Sequence, residues 1–91
     1  MRYRVVIPPP IERLIASLPP ALKSKIRAGL DDLAIDPYQG KALRDNLKGL
    51  YSLRVTRYRI VYSIHQHQIE VHVLAIGPRS KIYHDVEKWF E

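Results

Sequence analysis

Residues 50–62 read LYSLRVTRYRIVY and decide the fold. Apolar and polar residues alternate on both sides of Thr56 and Arg57, which predicts two antiparallel strands joined by a tight turn. A turn centred on those two residues sets Arg54 opposite Arg59 on one face of the hairpin. Like charges directly across a strand pair are destabilising. The stretch therefore indicates that an anionic ligand belongs between these two arginines.

The alternation also assigns each residue of the hairpin to a face. One face is expected to lie on the core and carries Tyr51, Leu53, Val55, Tyr58, Ile60 and Tyr62. The other face is expected to be open or partly open and carries Ser52, Arg54, Arg59 and Val61. This division is typical of an antiparallel sheet with one solvated face.

The rest of the chain predicts two more strands and three helices. Strands are expected at residues 3–7 and 68–76, and helices with apolar stripes at residues 11–18, 22–33 and 80–90. The order is β-α-α-β-β-β-α. We therefore predict an α+β fold with an antiparallel-dominated, four-stranded sheet. A helical hairpin would cover one face, and a C-terminal helix would complete the fold.

The positive charge of the chain is concentrated in one segment. The net charge is +6, and residues 41–81 hold eight basic residues against two acidic ones. The basic residues are Lys41, Arg44, Lys48, Arg54, Arg57, Arg59, Arg79 and Lys81. Such a distribution is expected of a nucleic-acid-binding protein, although a basic surface without a particular ligand would give the same charge.

Length and composition exclude several classes of protein. A chain of 91 residues has room for one small core, so we expect a single domain over residues 1–91 without a separate cofactor domain. The absence of cysteine excludes disulfides and thiolate metal sites. No apolar run has the length of a membrane span or a signal peptide, and we expect a cytoplasmic protein that does not contact a membrane.

Three stretches together resemble the RelE/ParE superfamily of bacterial and archaeal toxins. They are LKGLYSLRV at residues 47–55, YRIVY at 58–62 and GPRSKIY at 77–83. The resemblance implies a RelE-like fold and a toxin of a type II toxin–antitoxin system. RelE-type members are ribosome-dependent endoribonucleases that cut messenger RNA, and ParE-type members inhibit DNA gyrase. Both are usually held inactive by a small antitoxin.

The resemblance also implies a catalytic set for cutting RNA without a metal or other cofactor. Arg54 would position or activate the 2′-hydroxyl, while Arg59 and Arg79 would hold the phosphate. Tyr83 would stack on a base or protonate the leaving oxygen. Some RelE proteins have a lysine two residues before the Arg54 position, where this chain has Ser52. No residue is an obvious general base, and that role stays open.

The remaining cations have two possible roles. Lys41, Arg44 and Lys48 lie in a polar connection predicted over residues 38–49, and they form either a solvated surface or a contact with ribosomal RNA. Arg57 is expected in the hairpin turn with at most a non-specific phosphate contact. Lys81 is counted with the same RNA- or ribosome-binding group.

The histidines and tyrosines are weaker candidates. A zinc site at His65, His67 and His72 lacks a suitable further ligand, and His84 is a second candidate for the general acid after Tyr83. Three tyrosines, namely Tyr51, Tyr58 and Tyr62, are expected in the core or at its rim, with RNA stacking as the alternative.

Three functions remain open, and we expect the first. The chain is a ribosome-dependent endoribonuclease acting on messenger RNA, a ParE-like gyrase inhibitor, or a nucleic-acid-binding relative without catalysis. Its expected partners are the ribosome, messenger RNA and a cognate antitoxin. The antitoxin would lay an acidic segment over the basic face, in a heteromeric complex.

Overall fold

The structure, a computed structural model, describes residues 2–88. These residues form the four strands and three α-helices of the predicted order, and a short strand that was not predicted brings the number of strands to five. The helices are α1 (Pro9–Ala16), α2 (Pro20–Ile35) and α3 (Arg79–Lys88). The strands are β1 (Arg4–Val6), β2 (Lys41–Ala42), β3 (Leu50–Val55), β4 (Tyr58–His65) and β5 (Glu70–Pro78).

The strands form one sheet in the order β1-β5-β4-β3-β2. Strand β1 runs parallel to β5, and the other pairs are antiparallel. The predicted α+β class is confirmed, but the sheet has five strands rather than four. The additional strand β2 lies in the connection that we expected to be irregular, because two residues are too few to show an alternating pattern. It pairs Lys41 with Ser52 and Ala42 with Tyr51.

The hairpin has the predicted register. Arg54 lies directly opposite Arg59, and Val55 opposite Tyr58. Thr56 and Arg57 form the turn, and Thr56 adopts a φ of 55°. A positive φ at the first turn residue matches the right-handed twist of the flanking strands. The turn and the register together place the two like charges of Arg54 and Arg59 side by side on adjacent strands.

Two differences between the predicted and the observed boundaries lie at prolines. Helix α1 begins at Pro9, two residues earlier than expected, because proline is tolerated in the first helical turn, where its missing N–H has no partner to lose. Strand β5 continues through Gly77 to Pro78, which pairs with Tyr58. The third helix was predicted to continue through Trp89 and Phe90, which lie outside the described residues.

Helices α1 and α2 cover the face of the sheet that was predicted to be buried. We call the buried residues on this side the first core: Ile15, Leu18, Ile26, Leu30, Leu33, Val55, Ile60, Tyr62, Val71, Val73 and Ile76. Gly29 allows α2 to approach the sheet closely, since a Cβ there would lie 3.0 Å from Val55 Cγ2.

Tyr62 fixes the connection after α2 to this core. Its side chain is fully buried, and its hydroxyl donates a 2.6 Å hydrogen bond to the carbonyl oxygen of Pro37. Burial raises the pKa of Tyr62 to about 12, because a phenolate is poorly solvated there. Gly40 passes so close that a Cβ would overlap the Tyr62 hydroxyl, so a larger residue at position 40 would displace this contact.

The opposite face is partly covered by α3. The buried residues here form a second core, consisting of Leu47, Leu50, Val61, Ala75, Ile82 and Val86. Ser52 and Val61 were expected on an open or partly open face, yet Ser52 is only 4% exposed and Val61 is fully buried. The reason is that the Ile82/Val86 stripe of α3 packs on this side of the sheet. Within residues 2–88, no helix is long and apolar enough to span a membrane.

Candidate functional site

A cleft of about 550 Å³ opens where α3 leaves the second face of the sheet uncovered. It is bordered by β3 and β4, by the connection after β2 and by the first turns of α3. Its lining contains five cationic side chains, namely Lys41, Arg44, Arg54, Arg59 and Arg79, and two hydroxyl groups, those of Ser52 and Tyr83. The structure thus brings together all four residues of the predicted catalytic set.

Three arginines reach the cleft from three different elements. Arg54 projects from β3 and Arg59 from the facing position of β4. Arg79 is the first residue of α3, and its backbone N–H donates a 2.9 Å hydrogen bond to the carbonyl oxygen of Arg57. This bond ties the start of α3 to the hairpin turn. The backbone segments that carry the three arginines are therefore linked.

The cleft arginines keep most of their hydrogen-bond donors available. Arg54 Nε donates to the carbonyl oxygen of Thr56 at 3.3 Å, and Arg59 Nη1 donates to that of Tyr58 at 3.4 Å. Among the described residues, the arginines that form ion pairs are Arg4 and Arg27. An arginine carries five N–H donors and binds phosphate in a bidentate manner. The cluster is thus suited to binding a phosphate group.

Tyr83 lies between the second core and the cleft. Its ring is half-buried against the second core, and its hydroxyl lies 2.9 Å from Ser52 Oγ. Ser52 is itself buried. Some RelE proteins have lysine at the position of Ser52; here the serine is a hydrogen-bond partner of Tyr83. Its position two residues before Arg54 is the signal that places it on the same face.

Two acidic residues also line the cleft, and the sequence reasoning missed both. Asp45 lies in the connection after β2, and Glu87 lies one helical turn after Tyr83 on α3. The spacing of four residues between Tyr83 and Glu87 was the available signal, since such pairs share a helix face. These carboxylates reduce the positive charge at this end of the cleft.

The other predicted RNA-binding cations do not share one place. Lys41 and Arg44 line the cleft. Arg57 instead lines an adjoining hollow together with Arg54, Arg59 and Arg79. Lys48 and Lys81 are exposed and line neither space.

The histidines lie outside the cleft. The rings of His65 and His72 are tilted by 31° with their centroids 4.0 Å apart, and His72 Nε2 lies 2.9 Å from a carboxylate oxygen of Glu70. This hydrogen bond, more than any other contact, lowers the pKa of Glu70. No three His, Asp or Glu side chains within residues 2–88 are arranged to hold a metal ion. His84 is exposed and does not line the cleft.

The tyrosines of the hairpin lie on the opposite face from the arginines. Tyr51 stacks on the buried Tyr62 with ring centroids 5.7 Å apart, and Tyr38 meets Tyr51 edge-on at 6.0 Å. Tyr58 is half-buried and packs against the first core. Their environment is that of core packing, as the first of the two sequence interpretations had it.

Comparison with known proteins identifies the family. Residues 11–83 match the ParE toxin family of the type II toxin–antitoxin system parDE. The chain belongs to the RelE/ParE superfamily of type II toxins. It is 33% identical over 85 residues to Toxin RelG of Mycobacterium tuberculosis (strain ATCC 25618 / H37Rv), a match that covers 91% of this chain and 98% of the relative.

Solved structures agree with this assignment. The chain is similar to one in the RelBE2 toxin–antitoxin complex of M. tuberculosis, with a TM-score of 0.78 and 29% identity, over 89% of this chain and 95% of that one. It is also similar to one in the archaeal RelE–RelB complex of Pyrococcus horikoshii OT3, with a TM-score of 0.72 and 26% identity, over 89% and 99%. The isolated E. coli RelE toxin shares the fold, with a TM-score of 0.71 and 20% identity over 98% and 99%.

Proposed function

We propose that this RelE/ParE-family toxin is a ribosome-dependent endoribonuclease that cuts messenger RNA and thereby stops translation. The observation that supports it most is that Arg54, Arg59, Arg79 and Tyr83 line one cleft. Three arginines and one phenol in a single cleft form a set that can bind a phosphodiester and protonate its leaving group. A ribosomal target would place this activity in the cytoplasm.

The proposed reaction is a transfer within the RNA chain. As its proton passes to water, the 2′-hydroxyl oxygen attacks phosphorus, the bond from phosphorus to the 5′-oxygen breaks, and that oxygen takes up a proton. Arg54 would orient the 2′-hydroxyl, while Arg59 and Arg79 would bind the non-bridging oxygens as negative charge develops on them. Cations that are already in place for that charge stabilise the transition state without reorganisation.

Tyr83 would supply the proton to the 5′-oxygen. The 2.9 Å contact with Ser52 Oγ holds the phenol at one position in the cleft. Because Ser52 is buried in β3, its hydroxyl is itself fixed by the strand. We therefore assign Ser52 as a positioning residue that acts through Tyr83.

Message mapping after a brief induction in cells tests this proposal. The protein is expressed as the original chain, as the double variant Arg59→Ala/Arg79→Ala, and as a control that removes two exposed charges outside the cleft, Arg2→Ala/Arg13→Ala. The original chain and the control should cut messages at codons in the ribosomal A site. The cleft variant should lose this cleavage by about 100-fold or more, the usual cost of removing a transition-state donor. Undiminished cleavage by the cleft variant would contradict the proposal.

A ParE-like inhibitor of DNA gyrase is the second candidate. Two observations favour it: the family match over residues 11–83 is to the ParE toxin family, and Ser52 stands where some RelE proteins have lysine. In that case the induced messages would stay intact, and the purified protein would reduce supercoiling by purified gyrase.

We also propose a cognate antitoxin that lays an acidic segment over the cleft. The support is the set of cations around it and the presence of antitoxins in the complexes of the similar RelBE2 and archaeal RelE–RelB proteins. Complementary charge accelerates such an association. A complex that leaves Arg54 and Arg59 fully accessible would contradict this arrangement.

A further inference from the structure

A second hollow, of about 540 Å³, continues from the cleft on the side of the hairpin turn. It shares Arg54, Arg59 and Arg79 with the cleft. Its own lining adds Arg57, Thr56, Pro78 and Ser80. The three shared arginines therefore separate two spaces and can contact a ligand in each.

The two spaces differ in charge. Asp45 and Glu87 line the cleft, whereas the described residues that line the hollow include four arginines and no carboxylate. A cluster of cations without an acidic partner is electrostatically unfavourable until an anion enters it. The charge of the hollow is thus suited to a bound anion.

The two spaces also differ in the chemistry that they can support. Ser52 and Tyr83 line the cleft and do not line the hollow. An anion in the hollow therefore has no access to the phenol that we assign as proton donor. The hollow is suited to binding, and the cleft is suited to reaction.

The backbone around the hollow is held in place. The turn between β3 and β4 has only two residues, and the N–H of Arg79 donates to the carbonyl oxygen of Arg57 at 2.9 Å. The Arg54 side chain donates to the carbonyl oxygen of Thr56 at 3.3 Å. A site on a fixed turn loses less conformational entropy when a ligand binds than a site on a flexible loop does.

We propose that this hollow binds the phosphodiester next to the scissile one in the same RNA strand, with Arg57 as its dedicated contact. The proposal rests on the proposed function, because it assigns the scissile phosphate to the cleft. Two anionic groups on either side of shared arginines match the repeating charge of a single-stranded polynucleotide. The substrate would accordingly be recognised over at least two consecutive phosphodiesters.

Binding of short RNAs that cannot be cut tests the subsite. The probes are a 2′-O-methyl dinucleotide with one phosphodiester and a 2′-O-methyl trinucleotide with two, titrated at low salt by calorimetry. The original chain should bind the trinucleotide more tightly than the dinucleotide. Arg57→Ala should weaken trinucleotide binding about tenfold, as for one charged hydrogen bond, and change dinucleotide binding less than about twofold. In Arg57→Ala, the slope of log K against log salt for the trinucleotide should be smaller in magnitude by about 0.7 than in the original chain.

Two further variants serve as controls. Arg13→Ala removes an exposed arginine on α1 and should leave both affinities unchanged. Arg57→Lys keeps the charge and should restore part of the trinucleotide affinity, while the retained dinucleotide affinity of Arg57→Ala shows that this variant is folded.

The outcomes separate the subsite from the reaction. Equal tightness of the two probes on the original chain, or an Arg57→Ala effect that is the same for both, would overturn the subsite. Because neither probe can be cut, this result does not depend on catalysis. If the trinucleotide effect is found while messages stay intact on induction, the subsite stands and the endoribonuclease proposal fails.

Discussion

Neighbouring residues of the β3–β4 hairpin point to two faces with different surroundings. On one face, Val55, Ile60 and Tyr62 are buried beneath the helical hairpin. On the other face, α3 buries Val61 but stops short of Arg54 and Arg59, which remain in an open cleft. The same two strands thus carry a closed apolar core on one side and a charged site on the other.

The difference shows how a small chain separates stability from binding. Side chains alternate between the faces of a strand, so a substitution at one position can affect the core while its neighbour affects only the cleft. The arginine pair has an unfavourable charge interaction across the sheet. The apolar contacts of the opposite face must offset that cost in the free energy of unfolding.

The largest effect on the free energy of unfolding is expected from truncating a side chain on the buried face. Ile60→Ala should lower the free energy of unfolding by about 2–5 kcal/mol, because it removes a fully buried side chain and leaves a cavity. Urea unfolding followed by circular dichroism measures the change. Ile35→Ala is the matched control, since Ile35 is 59% exposed and should lose less than about 1 kcal/mol. Equal losses in the two variants would mean that the hairpin face does not dominate stability.

The alternation of apolar and polar residues was enough to predict the hairpin. It predicts less where contacts with other elements decide which side chains are buried. The two-residue turn and the Arg54–Arg59 pairing follow from residues 50–62 alone. Burial of Val61 could not be predicted in the same way, because it depends on where α3 crosses the sheet. Strand β2 has two residues and pairs only because β3 offers a free edge.

The candidate site was also predictable only in the part that neighbouring residues of the sequence determine. Arg54 and Arg59 stand out locally as a like-charged pair, whereas Arg79 and Tyr83 are distant in sequence and entered through family resemblance. The Ser52–Tyr83 contact joins residues 31 positions apart. Nothing local to either residue indicates it, because it depends on the docking of α3 against β3.

A smaller effect is expected from the tyrosine that anchors the buried face. Tyr62→Phe removes the hydroxyl that binds the Pro37 carbonyl oxygen and should cost about 1–2 kcal/mol at neutral pH. It should also change the response to alkali. Folding raises the pKa of Tyr62 from 10.0 to about 12, so the unfolded chain releases this proton first. The stability that this group contributes is full below pH 10 and is lost as the pH rises towards 12.

Urea unfolding at pH 9 and pH 11 measures this difference. The original chain should lose more stability between the two pH values than Tyr62→Phe does. Tyr58→Phe removes a half-buried phenol from the same strand and serves as the control. If Tyr62→Phe and the original chain lose stability in parallel, ionisation of Tyr62 does not contribute to alkaline unfolding.

The smallest effect has the opposite sign and concerns the cleft face. Arg59→Thr removes one of two facing like charges and places a β-branched residue in a strand, so it should raise the free energy of unfolding by about 0.2–1 kcal/mol. The gain should shrink at high salt, where the repulsion between the arginines is screened. Urea unfolding at low and high salt measures both effects, and Arg59→Lys, which keeps the charge, should show no gain. A loss of stability in Arg59→Thr at low salt would mean that the arginine pair stabilises the hairpin; a gain would mean that the cleft retains these arginines at the expense of stability, as expected for a site that binds an anion.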